Sequence, residues 1–477
     1  MDSNNQESLA MALKPVLGLQ ETIDTFARLE SLLSVSQYLN NHPVRNESLD
    51  YRIRYLMVLE YFVNKYANKS IFSLATLHNY KQVFLGDNID SYTYACENLT
   101  SQIEWITRTR FKPFKFFSNR FILTMDIIFL CALDDAHKGR ALFQQIKNLY
   151  HSRYHAALGN LYDALYQNVA PSQKLKAVYS QIQSWQDNIS YIKKPLSTTL
   201  FAANMSAGKS TLINALVGKH INRSLSQACT AKLHYVISKA FEDGYTYEYD
   251  YLLDLDVSLN VLMTDNPDNT SNEIMVGTAF NLLAPSEKRL CFLDTPGANF
   301  SIDTSHKDIA HWAISHASYD TLVFVFAAGS TGINDDFEYL HFIKDHHKGN
   351  CHLIFVLNKL DEYKNSEDSI DDSISKINED LKKIGFGSYE LYPVSASAGM
   401  MAKDVIQGVS FSPTSPEYFK YLSYKAHFNS PAFDCSKFYN LPSDYINLIK
   451  QSLSKNPDEF QLLLKSGMLG LEYILTH

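Results

Sequence analysis

Cysteine is sparse and scattered in this 477-residue chain: six in all, at positions 96, 131, 229, 291, 351 and 435. No two are spaced like metal ligands, and a chain of this length needs no covalent staples. The expected home is therefore a reducing compartment, the cytosol. An excess of basic charge is lacking as well. With 43 Lys+Arg against 51 Asp+Glu the formal net charge is −8 and the pI about 6.1, which disfavours nucleic acid as a bulk partner. Long apolar runs are missing too. The most apolar stretch, Phe121–Leu133, has 13 residues and contains Asp126, so it is too short to span a bilayer and reads as a buried helix. Any membrane contact is expected to be peripheral. The opening MDSNNQESLA is polar and acidic and does not read as a secretory signal.

What is present falls into two textures. Length alone predicts two domains or three, and a composition of 45% hydrophobic and 20% charged residues is that of an ordinary globular protein. Residues 1–192 read as helix after helix, an all-helical domain of bundle or stalk type, with strand signals scarce throughout. Leu19, Ile23, Phe26, Glu30 and Leu33 trace one helical stripe, and Tyr51–Tyr66 sets charges between large apolar residues. Leu175, Val178, Ile182, Trp185, Ile189 and Ile192 follow a strict 3–4 spacing that ends at Pro195. That seam fits either a helix of a local bundle or a surface for self-association. Arg108–Arg120 mixes five basic residues with four phenylalanines. It suits a membrane-surface patch, or a loop whose rings enter the helical core.

From residue 193 to 477 the texture changes. Short apolar runs at Leu196–Ala202, Leu233–Ile237, Leu290–Leu293, Thr321–Phe326, His352–Leu357 and Glu390–Val394 alternate with helical stretches. That pattern predicts an α/β domain whose mostly parallel sheet is covered by helices on both faces. A final helix is expected from about Pro457 to Leu475. After the first run comes Ala203-Asn-Met-Ser-Ala-Gly-Lys-Ser210, a phosphate-binding loop with alanine where its first glycine is expected. Asn204, Met205, Ser206, Ala207, Gly208, Lys209, Ser210 and Thr211 are expected to line a nucleotide. Backbone amides and a helix N-terminus make the anion cradle. Lys209 would reach the β- and γ-phosphates, and the Ser210 hydroxyl would join the Mg²⁺ shell. Ala203 puts the loop's entry conformation in question, because alanine tolerates positive φ poorly.

Such a loop alone occurs by chance, but four more elements follow in order. Thr230 would close over Mg²⁺ and γ-phosphate. Asp294-Thr-Pro-Gly297 ends an apolar run, where Asp294 can hold the Mg²⁺ shell and the Gly297 amide can sense a γ-phosphate. Asn358-Lys359-Leu-Asp361 ends another. The Asp361 carboxylate can accept two hydrogen bonds from guanine N1 and N2, which adenine does not match. Ser395-Ala396 lies where backbone would meet guanine O6. Together these predict a P-loop domain that binds GTP or GDP with Mg²⁺. His306 and His311 fit a switch-region contact better than a metal pair, and Cys229 fits packing better than redox control.

Met205-Ser-Ala-Gly-Lys-Ser-Thr-Leu-Ile-Asn-Ala-Leu-Val-Gly218 resembles the nucleotide loop of dynamin-like large GTPases, bacterial ones in particular. Asn299 and His306 after the DTPG, and Val325–Asp336, are similar to one bacterial subgroup. The resemblance covers the second half well, and over residues 1–190 it rests on helical character. It implies GTP hydrolysis without an arginine finger, by pairing of two GTPase faces, either in a homodimer or with a second dynamin-like chain. It also implies a monovalent cation, K⁺ or Na⁺, held by Ser206, and a Thr230 backbone that helps place the attacking water. Ser206, Lys209 and Thr230 are thus the expected catalytic residues. Met205 stands where dynamin has glutamine, and Ala298 where small GTPases have one, so slow basal turnover is expected. Ser466-Gly-Met-Leu-Gly-Leu-Glu472 resembles the closing helix of such a domain, after which relatives continue into a membrane-binding stalk. The stalk would then come from a partner chain, belong to a longer protein, or be dispensed with. The competing expectation is a slow GTP-dependent switch that recruits a protein partner. Cytoplasmic residence, with or without peripheral membrane attachment, suits both.

Overall fold

The structure, a computed structural model, describes residues 39, 41–67, 71–112, 115–132, 136–221, 232–242, 244–249, 253–254, 257, 273–297, 304–329, 334–364 and 368–477. The early stripe around Ile23 lies outside them. Helices fill the first stretch: α1 (Leu49–Tyr66), α2 (Ile71–Leu85), α3 (Leu99–Thr107), α4 (Arg120–Ala132), α5 (Ala136–Leu149), α6 (His155–Tyr166) and α7 (Tyr179–Ile192). The all-helical expectation needs one correction. Arg110–Lys112 (β1) and Lys115–Phe117 (β2) form an antiparallel hairpin, inside the basic and aromatic segment.

Asp126, the charge in the most apolar run, is fully buried, and its carboxylate explains how that is tolerated. Tyr80 OH donates to Oδ1 at 2.9 Å, and Tyr55 OH donates to Oδ2. His42 Nδ1 accepts from the Val44 amide at 3.2 Å, so its Nε2 carries the hydrogen and donates to Asp126 Oδ2 at 3.1 Å. Three donors from three segments thus fasten α4 in place. The 3–4 seam is used internally. Leu175 and Val178 sit on a 3-10 turn, Ile182 and Trp185 on α7, and all four are buried. Trp185 stacks on Phe129 of α4 at 5.9 Å and donates to the Leu165 carbonyl at 2.8 Å.

After Lys193–Pro195 the chain enters a nine-stranded sheet. Its strands are β3 (Leu196–Ala203), β4 (Leu233–Ser238), β5 (Tyr247–Tyr249), β6 (Leu253–Asp254), β7 (Glu273–Thr278), β8 (Arg289–Asp294), β9 (Thr321–Ala327), β10 (His352–Asn358) and β11 (Glu390–Pro393). Their order is β11-β10-β9-β3-β8-β4-β7-β5-β6. The pairs from β11 through to β8 are parallel, as is β4 with β7. The β8–β4, β7–β5 and β5–β6 pairs are antiparallel. Consecutive residues of β3, β8, β9 and β10 are buried, so both faces of the central strands are covered.

The accompanying helices are α8 (Lys209–Val217), α9 (Thr304–His316), α10 (Asn334–His346), α11 (Ile370–Ile384), α12 (Ala396–Ile406), α13 (Pro416–Asn429), α14 (Ser443–Ser452), α15 (Pro457–Lys465) and α16 (Met468–Thr476). The expected single closing helix is two. Gly467 takes φ +81°, and a Cβ there would lie 2.3 Å from the Pro393 carbonyl oxygen, so the chain turns where β11 crowds it. The two halves of the chain meet through Tyr191 OH, donating to the Ser238 carbonyl at 2.7 Å, and just past the junction Lys194 Nζ donates to the Ser286 carbonyl at 2.7 Å.

Candidate functional site

Because β3, β8, β9, β10 and β11 run parallel, their carboxyl ends open on one edge of the sheet, the usual place for ligands in such folds. The loop after β3, the Asp294 segment after β8, the Asn358–Asp361 turn after β10 and Ser395 after β11 all emerge there. Topology alone brings together motifs that lie up to two hundred residues apart.

Ala203 is the last residue of β3, buried and paired with Val325 of β9. It stays in extended backbone, so the question raised by the missing glycine does not arise there. The left-handed positions fall instead at Ser206 (φ +66°) and Gly208 (φ +82°). Gly208 then caps α8, whose first turn carries Lys209, Ser210 and Thr211. A Cβ on Gly208 would come within 2.5 Å of Asn358 Nδ2, so the glycine serves close approach as well as backbone conformation.

Lys209 and Ser210 both point at Asp294. The ammonium pairs with Oδ1, and the hydroxyl lies 3.4 Å from Oδ2. Burial pulls the Lys209 ammonium below its ordinary value, and the carboxylate at its Nζ opposes that loss of charge. A hydroxyl and a carboxylate facing each other beside a helix N-terminus form an oxygen donor pair of the kind a hard cation such as Mg²⁺ takes together with phosphate oxygens. The segment is fixed by Thr295 Oγ1, which donates to the Phe201 carbonyl at 2.9 Å. Gly297 comes against Met205. A Cβ added to Gly297 would lie 3.3 Å from Met205 Cα, so this turn rests directly on the phosphate loop. Ser206 is exposed on the outer side of that loop. Thr230, Ala298 and Cys229 lie outside the described residues, as does the side chain of His306. His311 is described and stacks on Phe342 at 3.6 Å.

At the other end of the edge, Asn358 ties the pieces together. Its Nδ2 donates to the carbonyls of Ala207 (3.0 Å) and Gly208 (3.3 Å), and its Oδ1 accepts from the Ala396 amide (3.0 Å). Lys359 adopts φ +68°, which turns the chain into the 3-10 segment Leu360–Glu362 that presents Asp361. Ser395 Oγ donates to Asp361 Oδ1 and accepts from the Ala398 amide at 3.2 Å, so it both caps α12 and orients the carboxylate.

Two contacts of the site have no local signal in the sequence. Asn204 Nδ2 donates to Asp336 Oδ1 at the start of α10, and Tyr424 OH on α13 donates to Asp361 Oδ2 at 3.1 Å. Both link residues far apart in the chain; Asp336 figures in the sequence only as the end of the Val325–Asp336 resemblance, and Tyr424 belongs to no motif.

The dynamin family model matches residues 201–360, which run from within β3 to the turn after β10. Among curated proteins the chain is similar to a probable transmembrane GTPase, FZO-like and chloroplastic, of Arabidopsis thaliana. The two are 26% identical over 218 residues, or 46% of this chain and 21% of that protein. The match thus spans about a fifth of that relative's length, 21%. Among solved structures, Era of Aquifex aeolicus bound to GDP and AlF4− shares 20% identity at a TM-score of 0.28, over 47% of this chain and 60% of its own. Toc33 of Arabidopsis thaliana, in a dimerization-deficient form, shares 12% identity at a TM-score of 0.28, over 50% of this chain and 79% of its own. Among the described residues no helix is long and apolar enough to cross a membrane.

Proposed function

We propose that residues 193–477 are a dynamin-type GTPase domain that binds GTP with Mg²⁺ and hydrolyses it, and that residues 1–192 form a helical domain that passes the resulting change to a partner assembly or a membrane surface. The observation that carries this reading is the convergence of Lys209, Ser210 and Asp294 at one end of a sheet edge, with Asn358 and Asp361 at the other. Loop amides from Asn204 to Thr211 would hold the phosphates, and Lys209 would neutralise their charge. Ser210, Asp294 and Thr230 would hold Mg²⁺, whose contribution when bound is to offset charge on the β- and γ-phosphates. Asp361 would select guanine, and Ser395-Ala396 would meet its O6.

Ser206, exposed and left-handed, is the residue to hold a K⁺ or Na⁺, and the Thr230 backbone would help place the attacking water. Pairing of two GTPase faces, in a homodimer or with a second dynamin-like chain, would complete that chemistry. A second reading, a slow GTP-dependent switch that captures a protein partner, draws on Met205, an apolar residue, lying against Gly297.

The test is the hydrolysis rate per molecule over a hundredfold range of protein concentration, beside Lys209→Ala. A rate that rises with concentration and vanishes in the variant is the expected result. A flat, slow rate favours the switch, and activity that survives Lys209→Ala overturns the phosphate site.

A further inference from the structure

A carboxylate offers about four acceptor positions, two on each oxygen. At Asp361 the protein supplies one donor to each oxygen: Ser395 Oγ to Oδ1 and Tyr424 OH to Oδ2. Two positions are left over, the number that guanine fills with N1–H and the 2-amino group. The phenol has a single proton. Since Tyr424 spends it on Asp361, the Ser397 hydroxyl 2.8 Å away must be the donor to the phenol oxygen. A directed relay results, from Ser397 to Tyr424 to Asp361, with Ser395 closing the other side. The ring is nearly buried, and α13 makes a second contact with the same turn through His427 Nε2, 3.0 Å from the Leu360 carbonyl oxygen. Burial and the facing carboxylate push the Tyr424 phenol well above its ordinary value, so it remains a donor across the working pH range.

We propose that Tyr424 is a positioning residue for guanine, holding the Asp361 carboxylate in the rotamer whose free lone pairs match both N1–H and the 2-amino group. The proposal rests on the GTP-binding reading above and deepens it. A carboxylate tethered on one oxygen alone can swing about its χ2 axis, and the contact that suffers is the one needing both oxygens at once. Guanine, which makes two hydrogen bonds to Asp361, must then lose more than hypoxanthine, which lacks the 2-amino group and makes one.

The experiment is calorimetric titration of the full chain with GDP, inosine diphosphate and ADP, for wild type, Tyr424→Phe and Ser397→Ala. Tyr424→Phe keeps the ring and deletes the donor. Its GDP affinity should fall roughly tenfold and its inosine diphosphate affinity about two- to threefold, the scale of one charge-assisted hydrogen bond, so that the preference for the 2-amino group narrows. Ser397→Ala, one step back in the relay, should narrow the same ratio by about two- to threefold. A general loss of packing would weaken both nucleotides by one factor and leave the ratio where it was. A ratio unmoved in both variants, with wild type still preferring GDP to ADP, overturns the role of Tyr424 alone. A wild type without that preference overturns the GTP-binding reading and this inference with it.

Discussion

At position 208 a side chain is excluded twice, once by φ +82° and once by Asn358 Nδ2, 2.5 Å from where a Cβ would stand. Left-handed backbone costs a non-glycine residue about 1–2 kcal/mol. Gly208→Ala must also push Asn358 off the loop carbonyls it holds. GDP affinity should therefore drop by at least about tenfold, as read by calorimetry. His311 gives a residue-scale prediction in pH. Burial first, then Lys307 and His346, lower its imidazole to about 4. The unfolded chain takes up that proton near 6.5 and the folded chain does not, so stability is whole above that range and drains as pH falls from about 6.5 toward 4. His311→Gln should flatten that slope in urea titrations at stepped pH. Lys209, Ser210, Asp294 and Asp361, to which the proposed function gives contacts with phosphate, Mg²⁺ and guanine, were candidates already in the sequence, because each such contact demands a residue type at a set offset. Asn204–Asp336 and Tyr424–Asp361 were not, since a hydrogen bond across 132 or 63 residues leaves no local pattern.

Elements obey the same division. β3, β4, β8, β9, β10 and β11 were foreseen from short apolar runs, which are continuous in the central strands because those are covered on both faces. β5 and β6 are three and two residues long, too short to carry a period, and Glu273-Ile-Met-Val-Gly-Thr278 hides its apolar stretch behind a charge and a glycine. The break at Gly467 was missed because the Pro393 carbonyl that forces it comes from another element. The 3–4 seam was visible but its partner was not, since periodicity tells which face is buried and not against what. Trp185 answers that question, lying at 5.9 Å on Phe129 and edge-on at 5.6 Å to Tyr166. Trp185→Ala should therefore cost about 3–5 kcal/mol, the range for emptying a large aromatic from a core, without changing oligomeric state. Chemical unfolding gives the first and light scattering the second. A change of oligomeric state at unchanged stability would return the seam to self-association.

Across the whole molecule, one buried ion pair joins the closing helix to α12, and its lysine ties both by a hydrogen bond to the helix that begins at Lys209. Lys403 on α12 and Glu472 on α16 lie 2.6 Å apart with both side chains almost fully covered. Lys403 Nζ also donates to the Leu216 carbonyl near the end of α8 at 3.1 Å, and Glu472 Oε1 accepts from the Leu283 amide at 2.6 Å. Four segments are thus clipped at one point, and α8 is only nine residues long, with Lys209 at its other end. A buried pair contributes modest net stability when intact, but removing one partner strands the other, at a cost of about 3–5 kcal/mol. Lys403→Met should lose that much in urea unfolding. Adding Glu472→Gln removes the stranded charge while leaving an oxygen for the Leu283 amide, so the double variant should recover all but about 1–2 kcal/mol of it. If the two single losses simply add, the pair is not coupled, and the link from α16 to α8 must run through apolar packing alone. If the double variant recovers stability but hydrolyses GTP more slowly than wild type, the pair is tuning the position of α8, and with it Lys209, from the opposite side of the domain.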